Sequence, residues 1–98
     1  MYYVAAFFTG AFFCNALPHL AAGLQGNAFP TPFAKPRGIG SSSALVNVLW
    51  GFFNVIAGAG LLTVHPIAAK WSVDFGIACL GGLFLGIYLA LHFARHRR

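Results

Sequence analysis

Charge is what this chain has least of. Asp74 is its sole carboxylate and six Lys and Arg complete a charged fraction of 7% over 98 residues. Hydrolytic or transfer chemistry calls on positioned carboxylates, a nucleophile–base pair or a metal. No such set is visible within one protomer, because Asp74 falls at the opposite membrane face from His19 and Cys14 has no activating base nearby. No catalytic residue is therefore assigned, and an enzyme is the less favoured class.

Cysteine is also scarce. Cys14 and Cys79 fall in separate apolar runs at different depths, which argues against a disulfide framework, and there is no CxxC pair. A Gly-Lys-Ser/Thr phosphate loop is missing as well. The first apolar stretch has no Lys or Arg before it and continues past Leu17, so it reads as a retained helix rather than a cleaved signal peptide.

What the chain has instead is apolar length. Residues 1–34, 38–69 and 75–94 are uncharged, and hydrophobic residues make up 59% of the whole. Each stretch holds a run near the ~20 apolar residues that a helix needs to cross hydrocarbon. The expected fold is an all-α integral membrane protein, a single membrane domain over residues 1–98. Its three transmembrane helices span about 3–24, 44–64 and 73–93, with connections at 25–43 and 65–72. The net charge of +5 flanks these spans, where it reads as an orientation signal and a partner for anionic lipid, so nucleic-acid binding is not expected.

Three spans place the chain ends on opposite sides. Lys35, Arg37, Arg95, Arg97 and Arg98 share one side and Lys70 alone occupies the other. The positive-inside rule then predicts a cytoplasmic C-terminus and an outside N-terminus, with Tyr2, Tyr3 and Trp71 at the outer interface. A bacterial-type inner (plasma) membrane is the expected location. His65-Pro66 is expected to close the second helix and Ser72 to cap the third, with Asp74 in its first turn paired to Lys70 four residues earlier.

Strongly polar groups inside hydrocarbon are costly unless partnered, so Asn15, His19, Asn47 and Asn54 are the first functional candidates. A rise of ~1.5 Å per residue puts Asn15 ~18 Å and His19 ~24 Å from the outer end of span one, with Asn54 near mid-depth and Asn47 ~5 Å from the cytoplasmic end of span two. Asn15 then faces Asn54 and His19 faces Asn47, with Trp50 between the two asparagines. This set either glues the helices together or lines a polar intramembrane cavity. Pro18 removes the donor for the Cys14 carbonyl, for which Asn15, His19 or a water is a substitute, and is expected to kink span one.

Span two repeats Asn-Val-Leu-Trp-Gly at 47–51 as Asn-Val-Ile-Ala-Gly at 54–58. A heptad period keeps one seam facing a neighbour, and Gly51 and Gly58 permit close approach. Ala78, Gly82, Gly86 and Ala90 form a comparable small-residue row on span three. Because three helices enclose no wide pathway, these rows predict a homo-oligomer or a subunit of a larger membrane complex.

The connection at 25–43 reads as loop throughout, with Pro30, Pro32 and Pro36 among several glycines. Phe29 and Phe33 are expected to enter the headgroup region or fold back on the bundle. Lys35 and Arg37 precede Ser41, Ser42 and Ser43 at a helix start, a set suited to a lipid phosphate or other anion, or simply to topology and capping. His92 and His96 have helical metal-ligand spacing, and His19 lies at similar depth, but the basic tail opposes a cation. Haem or metal is thus a weak expectation, and no cofactor is assigned. The leading expectation is a structural or accessory subunit that contacts anionic lipid. A homo-oligomeric channel or transporter for a small solute is second, and a membrane enzyme or haem or metal protein using His19 and His92 is third.

Overall fold

The computed structural model describes residues 2–96, so the expectations placed on Arg97 and Arg98 lie outside it. Three helices, α1 (Tyr2–Leu24), α2 (Ala44–Val64) and α3 (Val73–Arg95), are each long and apolar enough to cross a membrane. At ~1.5 Å per residue their lengths match a hydrocarbon core of ~30 Å, and the molecule measures 40 × 24 × 21 Å. The protein is accordingly read as a multi-pass membrane protein.

The helix ends have local causes. Gly26 adopts φ +77°, and the Gly26 and Asn27 amides return to the Gly23 and Ala22 carbonyls at 3.0 and 2.9 Å. This is the Schellman stop, in which a left-handed glycine turns the chain off a helix. Ser43 and Ser72 cap α2 and α3 by accepting from Val46 N and Phe75 N, each cap contributing about 1 kcal/mol. Helix α2 ends at Val64, with His65 as its C-cap before Pro66.

Helix α1 lies between the other two, which scarcely touch each other. Its seam with α2 is the heptad repeat, for the buried residues of α2 are Asn47, Gly51, Asn54 and Gly58. A side chain on Gly51 would strike Leu20, and one on Gly58 would press on the Phe13 ring. On the α3 side, a Cβ on Gly10 would collide with the Ala78 carbonyl, and one on Gly81 with the Phe7 carbonyl. These contacts allow the backbones to approach closely, which is how helices associate where water supplies no hydrophobic drive.

The small rows are therefore used inside the chain, and the argument that they need a second protomer falls. Ala78, Gly82 and Gly86 meet α1 at Gly10 and Cys14. Ala90 leaves the row: it is exposed and lines a cleft of about 410 Å³ beside Leu17 and Pro18. Helix α1 runs through Pro18 without interruption, and Asn15 and His19 turn their donors to α2 rather than to the Cys14 carbonyl.

The Lys70–Asp74 ion pair is a correction. Helix α3 starts at Val73, so Lys70 is outside the helix and the i,i+4 geometry never forms. Asp74 Oδ1 instead accepts from Ser72 Oγ at 2.6 Å and Phe75 N at 3.1 Å. Tyr2 of α1 reaches the same end, donating its hydroxyl to the Pro66 carbonyl with Asp74 Oδ2 at 3.4 Å. Trp71 beside it is 89% exposed.

Segment 25–43 folds back across the open end of the bundle. Phe29–Pro30 (β1) pairs antiparallel with Ser41–Ser42 (β2), placing Phe29 opposite Ser42. Thr31, 1% exposed, organises the turn between them. Its carbonyl accepts from Ala34 N and Gly38 N at 3.2 and 2.9 Å, and its hydroxyl shares a hydrogen bond with Ser42 Oγ at 2.5 Å. The phenylalanines lie on the bundle: Phe29 meets Phe93 at 4.8 Å between ring centroids, and Phe33 meets Trp50 at 5.1 Å.

Candidate functional site

Where α1 crosses the two-residue asparagine layers of α2, four side chains pair. Asn15 Nδ2 donates to Asn54 Oδ1 at 3.0 Å, while Asn54 Nδ2 donates back to the Trp50 carbonyl at 2.8 Å. One layer towards the loop, His19 Nδ1 lies 2.8 Å from Asn47 Oδ1. Asn47 is fully buried and its Nδ2 faces three carbonyls, Phe29 at 3.0 Å, Ser42 at 3.2 Å and Ser43 at 3.0 Å. Both pairings anticipated from helix depth are thus present. Asn47 has a further task that depth alone does not reveal: it ties the folded-back segment to the bundle.

The surroundings of Asn47 fix the chemistry of His19. Three carbonyls accept, so the amide side facing them must be the nitrogen and the side facing His19 must be the oxygen. An amide oxygen only accepts, and His19 Nδ1 therefore carries the proton. In the neutral ring Nε2 is then the bare acceptor. It has no partner among the described residues and does not rank with the fully enclosed unpaired atoms, although His19 as a whole is only 3% exposed.

That ring borders a cavity of about 370 Å³, floored by α1 and flanked by α2 and α3 where those helices fail to meet. Phe8, Phe12, Leu85, Leu89 and Phe93 supply apolar wall, and Pro30, Thr31 and Pro32 close the loop end. Asn15, His19, Trp50 and Asn54 also line it. Trp50 Nε1 is the one fully buried side-chain polar atom without a hydrogen bond among the described residues. The indole stacks on Phe53 at 5.5 Å between ring centroids and stands 6.4 Å from His19. A mostly apolar cavity with a few convergent polar groups is the usual form of a small-molecule site.

The other candidates are placed differently. Lys35 and Arg37 are exposed on the folded-back segment, Ser42 is bonded to Thr31 and Ser43 is spent as the α2 cap, while Ser41 is exposed in β2. His92 Nε2 donates to the Gly38 carbonyl at 2.6 Å, stitching α3 to the segment, and the His92 and His96 rings lie 4.8 Å apart. Among the described residues no three His, Cys, Asp or Glu side chains converge on a metal position. Sequence alone did not reveal the roles of Thr31 and Gly38 or the unpaired indole. The Pro-Thr-Pro turn was the signal for Thr31, since a hydroxyl between prolines has little else to bond.

Comparisons with protein-family models, with curated proteins and with solved structures found no match to this chain.

Proposed function

We propose that this protein is a small accessory subunit of a bacterial-type inner membrane, with its N-terminus outside and its C-terminus cytoplasmic. Its two outer helices face lipid or further copies, and its basic end contacts anionic headgroups. The observation that carries this reading is the closure of both polar layers within one chain: Asn15 with Asn54, and His19 with Asn47. A unit whose buried amides satisfy one another needs no second protomer to be stable and offers no continuous polar path through the bilayer. The outward faces of α2 and α3 carry Leu45, Leu49, Phe52, Ile56, Leu83, Phe84 and Leu91, all exposed, which suits contact with lipid or with an apolar partner helix. Lys35 and Arg37 stand exposed at the end where anionic headgroups would lie.

The channel or transporter reading uses the same four residues, and it differs in requiring them to contact a solute. Reconstitution separates the two. Liposomes containing the purified protein are expected to pass ions and small polar solutes no faster than empty liposomes. Saturable flux that Asn54→Leu abolishes would replace the accessory reading with the transport one. The haem or metal reading needs His19 and His92 as ligands; a Soret band or stoichiometric metal in the purified protein would favour it.

A further inference from the structure

The cavity between α2 and α3 has the length and direction of one lipid chain. Its wall runs along α1 from Phe8 to His19 and along α3 from Leu85 to Phe93. At ~1.5 Å per residue these runs are ~17 and ~12 Å long, close to one half of a hydrocarbon core ~30 Å thick. The cavity opens sideways. Helices α2 and α3 scarcely touch, and the lining residues Phe8 and Tyr88 are 49% and 60% exposed, so the gap faces the space that acyl chains occupy. Asn15 and Asn54 in the wall bond each other, while Phe12, Leu85, Leu89 and Phe93 supply apolar surface.

One end of this slot is cationic. Pro30, Thr31, Pro32 and Gly38 close it, and Arg37 precedes Gly38, which puts its Cα ~3.8 Å from that of a wall residue. Gly38 is fixed there by its amide, which donates to the Thr31 carbonyl at 2.9 Å, and by its carbonyl, which accepts from His92 Nε2 at 2.6 Å. Arg37 and Lys35 are both exposed. The only Asp or Glu in the chain is Asp74, at the far end of α3 and ~28 Å along that helix from Phe93. No carboxylate side chain can therefore neutralise the two cations. Unpaired cations at the mouth of an apolar slot one leaflet deep complement an anionic headgroup on an acyl chain. A zwitterionic headgroup brings its own cation and gains less.

We propose that this cavity seats one acyl chain of an anionic phospholipid, entering between α2 and α3, with the phosphate held at Arg37 and Lys35. The site rests on the reading of the basic end as a headgroup contact, and it turns a general attraction into single occupancy.

Trp50 lines the cavity, and Trp71→Phe removes the only other tryptophan, an exposed ring. The Trp71→Phe protein is placed in phosphatidylcholine nanodiscs containing increasing fractions of phosphatidylglycerol brominated in mid-chain or, in a second series, of brominated phosphatidylcholine. Quenching of Trp50 is read in both. Saturable quenching is expected from phosphatidylglycerol, with its half-maximum at a mole fraction ~5- to ~30-fold lower than for phosphatidylcholine, as one or both cations engage. Adding Lys35→Gln and Arg37→Gln is expected to bring the two curves together. Phosphatidylglycerol that co-purifies with the protein yet quenches Trp50 no better than phosphatidylcholine would overturn the chain site and leave the headgroup contact standing. Neither co-purification nor differential quenching would refute both. Equal, saturable quenching by the two lipids would refute the anionic selectivity, and quenching that saturates with neither would show that the cavity holds something other than an acyl chain. A phosphatidylglycerol preference that survives the double substitution would refute the placement of the phosphate. The comparison of lipids uses the cavity and segment 25–43 unaltered, so it decides the question even if the double variant does not fold.

Discussion

Replacing Asn47 by alanine should do more damage than any other single change to the polar residues, and its effect should begin in the segment that Asn47 does not belong to. The side chain is fully buried and bonds His19, Phe29, Ser42 and Ser43 at once. Ser43 keeps a bond to the Asn47 amide of its own helix at 3.1 Å, so the main loss there is small. His19 Nδ1–H, however, is left facing a void, and an unpaired buried donor costs ~1–3 kcal/mol. With the cavity left by truncation, the total is ~2–4 kcal/mol. Asn54→Ala removes one interhelical bond, to Asn15, which lines the cavity and can be rehydrated there; such a bond is worth ~0.6–1.7 kcal/mol.

The assay follows from where Asn47 pulls. Trypsin cuts after Arg37, which is exposed in segment 25–43, but only when that segment opens. If opening is fast relative to cleavage, ~2–4 kcal/mol becomes a ~30- to ~700-fold faster cut. Asn54→Ala should leave the rate within a few-fold of the parent, while both variants unfold earlier in denaturant titrations in micelles. Equal cleavage rates for Asn47→Ala and the parent would refute the role of Asn47 as the tie between bundle and segment.

Gly10→Ala should cost several kcal/mol or prevent α3 from docking, because its Cβ would meet the Ala78 carbonyl; Gly76→Ala, with open space around it, should be neutral or stabilising by ~0.5–1 kcal/mol in the same micelle titration. Ser72→Ala should destabilise by ~0.5–2 kcal/mol through loss of the α3 cap, whereas Lys70→Gln should change stability by less than ~0.5 kcal/mol, since Asp74 takes its partners from Ser72 and Phe75; a large effect of Lys70→Gln would restore the ion pair. In protein stripped of lipid, Trp50→Phe should be neutral or stabilising, because it deletes an N–H that has no acceptor. The double change Lys35→Gln with Arg37→Gln should reduce the anionic phospholipid that co-purifies, measured by headgroup analysis, and unchanged content would remove these residues from the lipid contact.

The helices and the pairing of their polar residues were legible because they depend on quantities that a sequence states outright: apolar length, rise per residue and the direction of each span. The heptad of Asn47, Gly51, Asn54 and Gly58 came through intact for the same reason, since a repeat of small and polar residues can only be a seam. The partner of a small-residue row was not legible, because spacing shows that a backbone approaches closely without saying whose. Gly10 and Gly81 complete the α1–α3 contact, and a row of Ala6, Gly10 and Cys14 at spacing four was the available hint. Least legible was everything that depends on the chain folding back. The three carbonyls around Asn47, the buried Thr31 and the His92–Gly38 bond all join residues brought together by the path of one irregular segment, for which no periodicity exists.

Because α1 alone touches both of the other helices, the order of synthesis has a consequence for assembly. The α1–α2 hairpin contains both asparagine layers and the whole returning segment, so it can close before α3 has been made. What it leaves open is the Gly10 face, a slot already shaped for Gly81 and Gly82 on the last helix to arrive. A chain severed within 65–72 should therefore reassemble from its two pieces, the hairpin acting as receptor and α3 as a ligand that spans the bilayer.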